Sequence, residues 1–214
     1  MKRALAILFT AVFATVTLHA GGQPEKRITP PILYTEDRIS FQFVTGALFS
    51  DTGIGPSIPD FNYQQNNFRI GWMLNTPSDS TPAWLRGNVE AILELSASAV
   101  MSGYGSYAVG PTALVRYNFV QPDWKVVPYI QGGAGIVLTD AYEEENQKAI
   151  GQFVEFTPQA SAGARILVTD NISVDVEAMF HHISNASMAS RNHGVNALGG
   201  FVGMTYFFDS LWQE

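Results

Sequence analysis

Apolar and polar residues alternate with a period of two in eight separate segments of this chain, and no 3.6-period amphipathic stretch competes with them. Ile39, Phe41, Phe43, Ala47 and Phe49 alternate with Ser40, Gln42 and Gly46, and Phe68, Ile70, Trp72 and Leu74 with Arg69, Gly71 and Asn75. Val89, Ala91, Leu93 and Leu95 then oppose Asn88, Glu90, Glu94 and Ser96, and Tyr107, Val109, Val115, Tyr117 and Phe119 oppose Thr112, Arg116 and Asn118. The same pattern recurs around 126–138, 154–166, 172–180 and 195–208. Charge separates the two faces. Arg69, Glu90, Glu94, Arg116, Glu155, Arg165, Asp175 and Glu177 all fall on the polar face, and none falls on the apolar one. A charge facing lipid at the bilayer midplane costs about 2–4 kcal/mol, so its exclusion from one whole surface is what a membrane imposes. The pattern predicts an all-β fold, an eight-stranded antiparallel transmembrane β-barrel of up-and-down topology. A soluble lipocalin-like barrel, apolar face inward, needs an outer face dense in Lys and Glu; here that face is mostly Ser, Thr, Gln, Asn and Gly.

The chain has 214 residues, 46% hydrophobic and 14% charged, and a net charge of −7. Lys2 and Arg3 precede an apolar run from Ala4 to Leu18 that ends at His19-Ala20. That order describes a secretory signal peptide over 1–20, since the run is too short for a spanning helix. A proline-containing, extended leader is expected over 21–37, the barrel over 38–209 and a short tail over 210–214. With no basic cluster, the acidic chain is a poor partner for nucleic acid. The absence of cysteine excludes disulfides, a lipidated cysteine anchor and thiolate metal sites.

The turns at Gln121-Pro122-Asp123 and Thr169-Asp170-Asn171 are short and belong on the periplasmic side; the longer 51–65, 139–150 and 185–194 loops belong outside. The 75–85 connection is longer than this rule predicts. Pro111 lies within a strand of a barrel that has no edge, so a bulge is expected there, and Pro128 and Pro158 are expected near strand ends or bulges. Gly132-Gly133-Ala134-Gly135 lacks the strand–turn–helix setting of a nucleotide loop and reads as a close-packing site. Glu143-Glu144-Glu145 reads as a solvated loop.

Candidate chemistry lies at the upper end of the seventh segment. His181 alternates onto the charged face with Asp175 and Glu177, as part of an interior polar network. His182 and Ser184 instead continue the apolar row of Val176, Ala178 and Phe180. Polar groups on a lipid-facing row need a reason, either arrival at the headgroup zone or function. If a hairpin pairs Ser184 with Gly194, His182 lies opposite Asn196. Hydroxyl, imidazole and side-chain acceptor then form a row of nucleophile, base and orienting group.

The stretch FHHISNASMASRNHGVNALGGFVGMTYFF resembles the C-terminal signature of the lipid A 3-O-deacylase family, also called acyloxyacyl hydrolases. That signature is H-x-S-N, a loop with N-x-G, and a last strand ending in aromatics. FRIGWMLN, LRGNVEAILEL, VGPTALVRYNF, PYIQGGAGI and FTPQASAGARILVTDNISV resemble the family in the same order. The resemblance implies an eight-stranded outer-membrane barrel that removes a 3-hydroxyacyl chain from the 3-position of lipid A, with no metal or other cofactor. Its partners would be lipopolysaccharide and outer-membrane lipids, with a homodimer as the candidate assembly. It further implies Ser184 as nucleophile, His182 as general base, Asn185 as a contributor to oxyanion stabilisation and Asn192 as a loop organiser. The family's third member is an acid; here that position is Asn196, a neutral amide. In a serine-protease triad such a swap costs about 10⁴ in rate. The alternative expectation is therefore a structural or adhesive barrel that kept the fold and lost activity.

Overall fold

The computed structural model describes residues 30–50 and 60–208. The expected signal peptide, residues 21–29 of the leader, residues 51–59 of the first long loop and the C-terminal tail lie outside them. The strands are β1 (Ile39–Phe49), β2 (Asn62–Met73), β3 (Gly87–Ser102), β4 (Tyr107–Phe119), β5 (Val126–Thr139), β6 (Val154–Leu167), β7 (Ile172–Ile183) and β8 (Val195–Phe208). They pair antiparallel in chain order and close into a barrel, β1 meeting β8 from Ile39↔Phe208 to Phe49↔Leu198. Closure leaves no edge, which is what a bilayer core demands of a sheet. Every segment read from the alternation is a strand, and its apolar residues face outward: Ile70, Leu93, Val115, Ile130, Val202 and Met204 are all more than half exposed.

The lumen is filled in three layers. In the middle, buried arginines pair with buried carboxylates. Arg69 bonds Glu94 and Glu177, each at 2.6 Å, and Arg165 bonds Glu90 at 3.0 Å. Gln42 accepts from Arg69 at 3.0 Å and Arg116 at 2.7 Å, and donates to Asp175 at 2.7 Å. At the loop end an apolar cluster includes Val44, Leu48, Tyr63, Met179, Ile183 and Phe201. At the end where β1 begins and β8 finishes, a second one contains Leu33, Tyr34, Met73, Val120, Val127, Leu167 and Phe207.

Three details depart from expectation. The end of the leader is not extended: Pro30–Leu33 form one helical turn, and Leu33 and Tyr34 plug the barrel, with the Tyr34 ring edge-on to Phe207 at 5.4 Å. Consecutive prolines carry the φ that a first helical turn needs. Pro111 makes no bulge. Its pairing with β3 keeps register, and the β4–β5 ladder opens over Gly110 and Pro111 and resumes at Thr112↔Gly135 unchanged. Glycines let the strands lie close there: a Cβ on Gly110 would stand 2.0 Å from the Ile136 carbonyl oxygen, and one on Gly135 2.2 Å from that of Pro111. The one irregularity at β2–β3 lies instead between Asn62 and Tyr63. Pro158 likewise falls where the β6–β7 ladder opens, between the Phe156↔Ser184 bridge and Gln159↔His181.

Candidate active site

The β7–β8 register places His182 opposite Asn196. His182 Nδ1 lies 2.5 Å from Asn196 Oδ1, and its Nε2 lies 2.9 Å from Ser184 Oγ. An amide oxygen only accepts, so Nδ1 carries the proton and Nε2 is left to accept from the serine hydroxyl. That is the tautomer a general base requires. The row sits on the outer, lipid-facing side at the loop end, half-buried, while adjacent His181 turns inward.

Ser184 is held from the other side as well. Its amide donates to the Phe156 carbonyl at 3.1 Å, and the Phe156 amide donates to the Ser184 carbonyl at 2.7 Å. Ser184 is thus clamped between β6 and the imidazole.

Asn185 is fully buried beneath the loop. Its amide donates to Asn192 Oδ1 at 2.8 Å, and its side-chain Nδ2 to the Arg191 carbonyl at 2.9 Å and to Glu155 Oε1 at 3.4 Å. Asn185 and Asn192 together organise the turn, and the donors of Asn185 are already engaged. The next amides along the chain belong to Ala186 and Ser187, consecutive residues in the left-handed region at φ 52° and 67°. Gly194 closes the loop at φ 72°, where a Cβ would stand 2.9 Å from His182 Cε1. Only glycine suits both that dihedral and that closeness.

Two supporting residues escape a reading by strand face. Glu155 is one more lumenal carboxylate by pattern, yet it takes no part in the mid-barrel ion pairs. Its Oε1 accepts the amides of Gly151 and Gln152, both at 3.0 Å, besides the Asn185 side chain. It therefore ties the β5–β6 loop to the segment that follows Ser184. Arg191 adds a strap, donating to the carbonyls of Glu144 at 2.8 Å and Tyr142 at 2.7 Å. The Asn-x-Gly spacing hints at Gly194, but nothing local distinguishes Glu155.

Below the row, an open apolar groove of about 560 Å³ runs down the membrane face. Ala160, Ala162 and Ala178 floor it, and Ile130, Phe180 and Leu198 wall it. Small residues on paired positions, such as Ala162↔Ala178, make the depression. Among the described residues, no group of three or more His, Cys, Asp or Glu side chains is placed to hold a metal ion.

The family model described as lipid A 3-O-deacylase (PagL) matches residues 66–205, more than half of the chain. Among solved structures, the outer membrane enzyme PagL is similar at a TM-score of 0.52 and 17% identity, over 77% of this chain and 97% of that one. Neisserial surface protein A gives 0.57 at 12% identity, over 79% and 97%. The N-terminal β-barrel domain of Pseudomonas aeruginosa OprF gives 0.54 at 12%, over 81% and 98%. At such identities these likenesses speak for the fold. A search of curated proteins found no match.

Proposed function

The chain belongs to the lipid A 3-O-deacylase family, and on that premise we propose that it is an outer-membrane serine esterase removing the 3-linked hydroxyacyl chain of lipid A. The observation that carries this reading is the Ser184–His182–Asn196 row, with separations of 2.9 and 2.5 Å on the lipid-facing side. Acyl esters of a glycolipid lie in the bilayer, so a nucleophile directed at lipid meets them, whereas one in the closed lumen would not.

Ser184 Oγ attacks the ester carbonyl as His182 Nε2 takes its proton, and Asn196 keeps the ring in the required tautomer. The oxyanion meets amides of the left-handed turn, with Ala186 and Ser187 the candidates. Collapse breaks the ester C–O bond, and the imidazolium returns its proton to the departing sugar oxygen. Water, deprotonated by His182, then releases the fatty acid and regenerates Ser184. The alanine-floored groove receives the acyl chain during these steps. Replacing Ser184 or His182 by Ala should stop release of 3-hydroxy fatty acid from membranes while heat-modifiable gel mobility persists. Normal release from both variants would overturn the assignment.

Asn196 supports a second reading, a barrel whose esterase activity has been lost. A neutral amide orients the histidine but adds no charge to steady the imidazolium; in a serine triad the acid-to-amide swap costs about 10⁴ in kcat, largely through the wrong tautomer. Mass spectrometry of lipid A from cells with and without the protein separates the two. An unchanged acylation pattern that becomes deacylated only with Asn196→Glu favours the second.

A further inference from the structure

The 75–86 connection, too long for the end of the barrel where it sits, carries a surface unrelated to the Ser184 row. Its Ala83–Leu85 turn is a single 3₁₀ turn strapped to the neighbouring strand end. Tyr117 Oη donates to the Leu85 carbonyl and Gln121 Nε2 to the Ala83 carbonyl. Arg86 donates to the Val120 carbonyl at 2.9 Å and pairs with Asp79 at 3.1 Å. Fixed in this way, the connection holds Trp84 outward, 74% exposed, beside a second half-exposed indole, Trp124. Together with Phe119, Pro122 and Pro128 they line an apolar pocket of about 630 Å³.

Phe119 and Pro128 lie on the outward faces of β4 and β5, so the pocket opens toward lipid at the end where β1 begins and β8 finishes. In outer-membrane barrels that end faces the periplasm. The material against it is therefore the leaflet opposite the one that the Ser184 row meets. The charged residues next in sequence to the pocket's lining carry both signs. Asp79 is neutralised by Arg86, while Asp123 and Lys125, both exposed, stand two residues apart on the β4–β5 turn beside Trp124. One cation and one anion beside an apolar pocket match a phosphate joined to an ammonium, above acyl chains.

We propose that Trp84, Trp124, Asp123 and Lys125 form a binding site for a zwitterionic glycerophospholipid with a primary ammonium headgroup in the periplasmic leaflet. The acyl chain lies between the indoles, Lys125 takes the phosphate, and Asp123 accepts from the ammonium. Indole rings suit this depth because they join an apolar body to one N–H donor.

The test uses the full chain with Trp72→Phe and Trp212→Phe, reconstituted in phosphatidylcholine vesicles, so that Trp84 and Trp124 report. Brominated phosphatidylethanolamine, phosphatidylcholine and phosphatidylglycerol are compared as quenchers at equal mole fraction. Phosphatidylethanolamine should occupy the site roughly twofold to fivefold more strongly than either of the others, the range one exposed ion pair supplies. Asp123→Asn and Lys125→Gln should each level that preference; asparagine tolerates the left-handed φ of 63° at 123. Equal quenching by the three headgroups, or a preference for phosphatidylglycerol, overturns the proposal. So does absence of quenching by all three, which means that protein covers the pocket. Native mass spectrometry of lipid adducts on the unaltered protein measures the same preference without any substitution.

Discussion

His181 and His182 are neighbours in sequence and opposites in surroundings. His181 points into the lumen, is almost wholly buried, and shares a 2.6 Å hydrogen bond with the Tyr63 hydroxyl inside the upper apolar cluster. His182 points out, half-buried at the rim, between an acceptor on β8 and a hydroxyl at the end of its own strand. Only the pleat of the strand separates them. In the lumen, imidazole is one polar group among many that must be satisfied before the barrel can close. On the outer face, the same ring has the Ser184 hydroxyl 2.9 Å away and lipid beside it. Residue type does not assign the role here; the face does.

The strongest way to break that contrast is the loss of hydrolysis in His182→Ala, set against retained hydrolysis when the lumen is altered. Next in size, Arg69→Ala strands Glu94 and Glu177 without their cation. It should lower barrel stability by about 3–5 kcal/mol, measured by urea unfolding in detergent, with activity per folded molecule unchanged. A fall in activity per folded molecule would instead join the two networks. Gly194→Ala works the other way, touching the rim and sparing the lumen. Its Cβ meets the His182 ring, so kcat should fall about ten- to hundredfold through misplacement of the base, while the strain of alanine at φ 72° lowers stability by about 1–2 kcal/mol, less than Arg69→Ala does. A normal kcat in that variant would mean that the ring tolerates displacement. Smallest of all, His181→Phe removes the partner of the Tyr63 hydroxyl and should cost about 1 kcal/mol of stability and no activity. A loss of activity there would tie the inner histidine to the outer one and dissolve the contrast.

Much of this was legible in the sequence because lipid imposes its rule one position at a time. Each residue that faces the hydrocarbon core must be apolar whatever its neighbours do, so strand number, inward and outward faces and the opposition of His182 to Asn196 could all be read from a period of two and one hairpin. Where the local pattern fades, so did the reading. β3 runs on to Ser102 through Ala97, Ser98 and Ala99, small residues with no face preference, because β2 and β4 extend beside it and supply partners.

The chain by itself determined that charge stays inside the barrel and that a hydroxyl, an imidazole and an amide meet on its outer rim. Tertiary structure alone decided that Arg69 reaches Glu177, 108 residues away, that Phe156 clamps Ser184, that Glu155 anchors the loop behind it, and that Tyr34 seals the far end. These contacts join strands and loops distant in sequence, and they exist only once the sheet has closed. They depend on lumen width and side-chain reach, quantities that no local periodicity carries.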